Sequence, residues 1–185
     1  FYAAIFKKNL LKSNAKVKCS KNTFGIELEV YYTIKKNILQ SKSRLTENNI
    51  GHYIESMGSC IELVGYRQRK KGVTCLGDLT ADFGCNVKFI IGKKLKYKKL
   101  KFNSLSSQLF NKKSKQMVNG NTKVVYDSPL KSLIWLINKL KKDEININKN
   151  FYVFTGSTVG VVPILKKGLF EGQIKSLGRV KATIS

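Results

Sequence analysis

Eleven acidic residues stand against 35 lysines and arginines in this 185-residue chain, so an acid inside an apolar stretch draws notice. Glu27 and Glu29 alternate with Ile26, Leu28 and Val30 in the run from Phe24 to Ile34. A strand repeats every two residues, which puts both carboxylates on one face about 7 Å apart at Cα. Like charges so placed repel unless a cation lies between them. Hard cations such as Mg2+ and Mn2+ take carboxylate oxygens and keep water-filled positions open. A third carboxylate, Glu62, interrupts a second apolar run, Cys60-Ile61-Glu62-Leu63-Val64. Three carboxylates from two strands would make a metal site with room for a chelating ligand. The pattern alone leaves a plainer arrangement open, in which Glu27 and Glu29 lie on a solvated strand face and pair with surface lysines.

Other residues offer weaker signals. Thr155-Gly156-Ser157 closes an apolar run. Backbone N–H groups and hydroxyls at a strand end can hold a carboxylate or an oxyanion, though an ordinary strand-to-loop turn has the same composition. Arg67 and Asp82 can be read as a carboxylate-binding and proton-transfer pair or as a simple ion pair. The cysteines, Cys19, Cys60, Cys75 and Cys85, form no C-x-x-C motif, and the sole histidine, His52, sits in a polar stretch. That excludes the usual structural zinc patterns and fits reduced thiols in a cytoplasmic protein.

These residues need strands to position them. Phe24–Ile34 and Ser59–Tyr66 read as strands, separated by a polar connector (35–50) and a short helix or turn at Tyr53–Met57. Residues 67–78 read as a basic loop, and Val87–Ile91 as a strand. Lys93–Lys101 alternates Lys with apolar residues, as a half-solvated strand would. Asn119-Gly120 predicts a two-residue hairpin turn. A helix follows: Asp127 or Ser128 caps it, Pro129 opens it, and Leu130, Leu133, Ile134, Ile137 and Leu140 recur at helical spacing. Phe151–Thr155, Val159–Leu165, Gly172–Ile174 and Val180–Ile184 read as strands. The class is α+β, β-rich, with one major helix.

A hydrophobic content of 42% suits a single folded domain. No apolar run approaches the ~18 residues of a membrane span. The net charge of +24 suggests nucleic acid. Yet only Arg44, Arg67, Arg69 and Arg179 are arginines, and arginine is the residue that grips phosphates bidentately. The excess of Lys, Asn and Ile points instead to compositional bias. A non-catalytic polyanion-binding protein is the alternative from another functional class.

Taken in order, the segments resemble the fumarylacetoacetate hydrolase superfamily, and within it the 2-keto-4-pentenoate hydratase and 4-oxalocrotonate decarboxylase branch. Gly25-Ile26-Glu27-Leu28-Glu29-Val30 is similar to the family's Glu-x-Glu strand. Ile61 to Arg67 is similar to its third-ligand strand, and Thr80-Ala81-Asp82 to its Ala-Asp-Asn segment. Ser128-Pro129 with Leu133 to Leu140 resembles its Pro-then-Trp-Leu-Ala-Asn helix. Phe154-Thr155-Gly156-Ser157 resembles its Thr-Gly-Ser strand end, and Leu177-Gly178-Arg179-Val180 its closing strand.

The resemblance implies a mixed β-roll in which residues 1–185 form one catalytic domain, without the segment the family carries at its N-terminus. It implies Mg2+ or Mn2+ held by Glu27, Glu29 and Glu62. Thr155, Gly156 and Ser157 would bind substrate, and Asp82 and Arg67 would act catalytically. The implied reaction is hydration of a 2-keto-4-enoate through a metal-stabilised enolate, with decarboxylation or C–C hydrolysis of a 2-keto or β-diketo acid as the alternative. A cytoplasmic homo-oligomer is expected, with a small-molecule 2-keto acid as partner and without nucleic-acid or membrane partners. The sequence departs from the family at Lys7 and Lys8, where an acidic pair is usual, at Phe83 in place of Asn, and at Gly168-Leu169 in place of Gly-Asp.

Overall fold

In the computed structural model, which describes residues 1–67 and 73–185, the chain builds two sheets around a shared apolar core. In chain order the strands are β1 (Leu10–Lys12), β2 (Ala15–Val17), β3 (Thr23–Ile34), β4 (Ile54–Gly65), β5 (Asn86–Ile91), β6 (Leu95–Lys96), β7 (Ser106–Asn111), β8 (Met117–Asn121), β9 (Phe151–Ser157), β10 (Val162–Pro163), β11 (Gly168–Ile174) and β12 (Gly178–Ile184). The α-helices are α1 (Leu76–Ala81) and α2 (Pro129–Lys142). One sheet runs β1-β5-β4-β3-β10, with β6 beside β4 and β9 beside β3; the other runs β2-β12-β11-β7-β8. This is the β-rich α+β architecture expected. No helix among the described residues is long and apolar enough to cross a membrane.

Alternation in β3 and β4 decides which face meets the core. Ile26, Leu28, Val30, Tyr32, Ile61 and Leu63 are fully buried and join Phe170, Ile174, Val180 and Ala182 of the second sheet in one cluster. The sheets approach closely at Gly172, where a Cβ would stand 2.5 Å from Leu28 Cδ1. Helix α2 covers the same core with Leu130, Leu133, Ile137 and Leu140. Of the two expected caps, Ser128 fills the role: its Oγ accepts from the Leu130 N–H at 3.2 Å. Lys139, Lys141 and Lys142 fall in the last turn, at the negative end of the helix dipole.

Several expected boundaries move. The helix or turn at Tyr53–Met57 is instead the start of β4, because β3 is long enough to pair with it from Ile34 back to Thr23. Only Leu95–Lys96 of the Lys-alternating stretch is strand. Within Val159–Leu165 only Val162–Pro163 pairs, against Ile26 and Gly25. Of the basic loop 67–78, residues 68–72 lie outside the described residues, and Leu76 already begins α1. The N-terminal stretch supplies two short parallel partners, β1 for β5 and β2 for β12, joined through Asn14 at φ 71°.

Asn119-Gly120 is not a turn. Both residues lie inside β8, opposite Gln108 and Ser107. The hairpin turns instead at 112–115, where Asn111 Oδ1 accepts from the N–H groups of Lys113 and Ser114 and Lys115 takes φ 61°. Glycine is needed at 120 because a Cβ would collide with the Thr158 carbonyl oxygen. Gly120→Ala is therefore expected to cost about 2 kcal/mol by overpacking against backbone, read as a lower urea midpoint at unchanged slope.

Candidate metal centre

The antiparallel register sets Glu27 opposite Glu62 and Glu29 opposite Cys60. All three glutamates thus leave the sheet on the face away from the main core. One carboxylate oxygen from each lies within 4.8 Å of the others. Glu29 is 3% exposed and Glu62 7%, while Glu27 is half-buried and marks the open side. Among the described residues no lysine or arginine is buried. Among those residues two of the few acids, Glu29 and Glu62, are buried and no cation is.

Burial without a cation shows in the acidities. Desolvation first, then the Glu27 charge, push the Glu29 carboxyl up to about 8. Desolvation followed by the charges of Glu29 and Glu27 raises Glu62 well above the carboxylate range. Glu27 is raised as well, chiefly by burial. The Cys60 thiol, set opposite Glu29 on the same face by the register, is driven far up by burial and then by the three carboxylates. An all-oxygen set of three acids suits a hard divalent cation, whose charge would offset the burial and repulsion at once.

Gly156 donates its N–H to Glu29 Oε2 at 3.1 Å. Its φ of +111° is one that a side chain would disfavour, which accounts for glycine at this bulge. The neighbouring hydroxyls are engaged locally. Thr155 Oγ1 donates to the Val30 carbonyl at 3.0 Å, and Ser157 Oγ to the Gly160 carbonyl at 2.9 Å. The backbone rather than the hydroxyls of Thr155-Gly156-Ser157 thus touches the triad.

Arg67 and Asp82 form an ion pair at 3.3 Å at the end of β4. Arg67 Nη1 also donates to the Asp82 carbonyl at 2.5 Å, and Nη2 to the Asn86 carbonyl and, at 2.9 Å, to Asn86 Oδ1. Between those anchors Phe83, Gly84 and Cys85 take successive left-handed φ values of 53°, 71° and 61°, a costly run for non-glycine residues. The Arg67 guanidinium lies 5.4 Å over the Phe83 ring, and Phe6 packs on that ring at 5.4 Å. Arg67 is bound into this loop. His52 is exposed, and the four cysteines are free thiols.

Sequence reading missed the aromatic surroundings. Tyr31, two residues past Glu29, continues the carboxylate face, and Phe89 stands opposite Glu62. Phe89 and Phe154 meet with ring centroids 4.2 Å apart. Strand period two marked Tyr31; nothing in the sequence paired Phe89 with Phe154.

No protein-family model and no curated protein matches the chain. Solved structures do. A 4-oxalocrotonate decarboxylase from Pseudomonas putida G7, complexed with calcium and acetate, superposes with a TM-score of 0.79 at 20% identity, covering 96% of this chain and 66% of that one. The same enzyme complexed with magnesium and adipate gives 0.79 at 19% identity, covering 96% and 67%. A fumarylpyruvate hydrolase from Pseudomonas aeruginosa, in complex with Mn2+ and pyruvate, gives 0.59 at 12% identity, covering 95% and 73%. The fold is thus that of the fumarylacetoacetate hydrolase superfamily, and this chain spans about two thirds of the length of the decarboxylase.

Proposed function

We propose that this chain is a metal-dependent enzyme of the fumarylacetoacetate hydrolase superfamily, a lyase that hydrates a conjugated 2-keto acid of the 2-keto-4-enoate type. The observation that carries the reading is the buried triad Glu27, Glu29 and Glu62, with oxygens within 4.8 Å and no buried protein cation among the described residues to neutralise it. Those three residues would hold Mg2+ or Mn2+, which supplies Lewis acidity toward the carboxylate and keto oxygens of the ligand. The metal complexes of the similar structures support this assignment.

The chain's own residues then have separable tasks. The Gly156 N–H fixes the rotamer of Glu29, and Thr155-Gly156-Ser157 at the end of β9 is assigned to the substrate side of the triad. Glu27, the least buried of the three, borders the entrance. Burial of Glu29 and Glu62 excludes bulk water from the chelating side, which strengthens every charge interaction there. Arg67 and Asp82 support the site by holding the loop at the end of β4.

The likeness at TM-score 0.79 to a 4-oxalocrotonate decarboxylase favours a second reading, loss of CO2 from a 2-keto dicarboxylate. Product analysis on Mn2+-loaded protein separates the two. A 2-keto-4-enoate converted to its hydrated product without gas release is the expected result. CO2 evolved from a 2-keto dicarboxylate supports the second reading, and turnover that persists in excess EDTA overturns both.

A further inference from the structure

Lysines crowd one end of the five-stranded sheet. Val17 lies opposite Ile184, Ile184 opposite Gly168, Phe170 opposite Asn111 and Phe110 opposite Met117. That register gathers at one end the residues that follow β2 and β7 and those that precede β8 and β11. Among them are Lys18, Lys112, Lys113, Lys115, Lys166 and Lys167, all exposed. Compositional bias sets how many lysines the chain has; the register sets where these six meet.

The two loops that carry most of them are tied together. Asn111 is 1% exposed. Its Oδ1 accepts from the N–H groups of Lys113 and Ser114 at 3.0 and 3.3 Å, and its Nδ2 donates to the Lys166 carbonyl at 2.7 Å. The Lys112 N–H donates to the Leu169 carbonyl at 2.9 Å. A Cβ on Gly168 would stand 2.9 Å from Lys113 Cβ. The turn at 112–115 and the loop at 164–167 therefore present one surface on a fixed backbone.

Acids do not balance this surface. Among the described residues the one acid in an ion pair with any of the six is Glu171, which Lys112 reaches at 2.9 Å and Lys181 shares at 3.0 Å. Two large apolar side chains stand beside the lysines: Leu165 is 69% exposed and Met117 54%. Segments 112–117 and 163–167 contain no arginine and no aromatic residue.

That composition selects the kind of partner. Single-stranded nucleic acid is held by stacking on aromatic side chains and by guanidinium forks, which these segments lack. Lysines beside an anionic bilayer act through its surface potential, each worth about five-fold in partitioning. An apolar side chain among them enters the boundary between headgroups and acyl chains.

We propose that this end of the second sheet docks on an anionic lipid bilayer, with Lys113, Lys166 and Lys167 against the headgroups and Leu165 inserted between them. This is attachment to a surface and not a span, and it departs from the absence of membrane partners expected from the family resemblance. It stands independently of the triad, which it adjoins: β10 leads into the loop and pairs Pro163 with Gly25, two residues before Glu27.

The test sediments the whole chain with vesicles of phosphatidylcholine, alone or with about 30% phosphatidylserine, at about 0.15 M salt. Partitioning to the anionic vesicles is expected to exceed that to the neutral ones by at least about ten-fold. Lys113→Glu with Lys166→Glu should lower it by at least about 25-fold, and Leu165→Asn by about ten-fold. Lys113→Gln with Lys166→Gln gives the same comparison should the charge reversal not fold. Lys35→Glu with Lys36→Glu, at two exposed lysines beyond the other end of β3, makes the same change in net charge and should cost less than about five-fold. Equal losses from the two reversals would mean that net charge alone acts and would overturn the proposal. So would absence of binding to the anionic vesicles, or a Leu165→Asn variant that binds them unchanged. Tighter binding to a single-stranded RNA homopolymer than to the vesicles, lost with Lys113 and Lys166, would overturn it in favour of nucleic acid.

Discussion

Millimolar Mn2+ added to metal-free protein at pH 7.5 is expected to raise the melting temperature by roughly 5–10 °C, and Glu29→Gln to remove that shift while raising the melting temperature of the metal-free protein. The size follows from mass action: a ligand at 100 times its dissociation constant stabilises by about 2.7 kcal/mol, and each kcal/mol moves a domain of this size by about 2–4 °C. The second half of the prediction is the more diagnostic. A triad kept without a cation is a defect in the fold, since burial and mutual repulsion hold Glu29 up near 8 and Glu62 well above its ordinary range. Replacing Glu29 by its neutral isostere removes that penalty and the metal's anchor together.

The same acidities fix the sign of the pH dependence. A carboxyl raised in the folded state keeps a proton that the unfolded chain releases near 4.5, so between about 4.5 and about 8 the native state binds more protons. Stability of the metal-free protein then falls as pH rises through that window, by up to about 1.4 kcal/mol per pH unit for each proton retained. Metal binding displaces those protons, so bound Mn2+ flattens or reverses the slope. Melting curves at pH 5, 6.5 and 8, with EDTA and with Mn2+, check this directly. Parallel pH profiles under the two conditions would mean that the triad takes no cation.

How much of this was legible beforehand depended on whether a residue's environment is set by its own strand. The alternation of Glu27 and Glu29 with Ile26, Leu28 and Val30 is local and showed both the strand and its chemical face. The convergence with Glu62 also needed the register that puts Glu27 opposite it, which no single strand encodes; the family resemblance supplied the grouping. Gly120 was misread because its glycine answers a tertiary demand, the Thr158 carbonyl, and not a turn. The Lys-alternating stretch at 93–101 was misread because alternation without a pairing partner does not make a strand, and only Leu95–Lys96 finds one, on β4. Thr155 and Ser157 look like substrate ligands in sequence, yet sheet and turn claim their hydroxyls and leave the Gly156 N–H facing Glu29. The +24 charge is prominent in composition, yet among the described residues the buried charged side chains are acids, Glu29 and Glu62.

Arg67 is where pattern and structure assign one residue different work, and the difference is measurable. Sequence reading offered it as a carboxylate-binding group, whereas its terminal nitrogens are spent on Asp82 and Asn86. What those bonds secure is the left-handed run Phe83–Cys85, whose φ values cost free energy that the loop's own contacts must offset. The pair is mostly buried, with side chains 24% and 15% exposed, so removing one partner leaves the other charged and poorly solvated. Arg67→Ala is therefore expected to cost about 3–5 kcal/mol, with hydrogen-exchange protection lost first at Phe83–Asn86. Arg67→Lys should do little better, since an ammonium cannot reproduce the planar fork that spans two carbonyls and two side chains. If Arg67 instead served the ligand, Arg67→Ala would leave the melting temperature within about 2 °C and weaken pyruvate binding to the Mn2+-loaded protein. A loss of stability that Arg67→Lys fails to restore, with pyruvate affinity retained in the fraction still folded, assigns the residue to holding the loop that closes the end of β4.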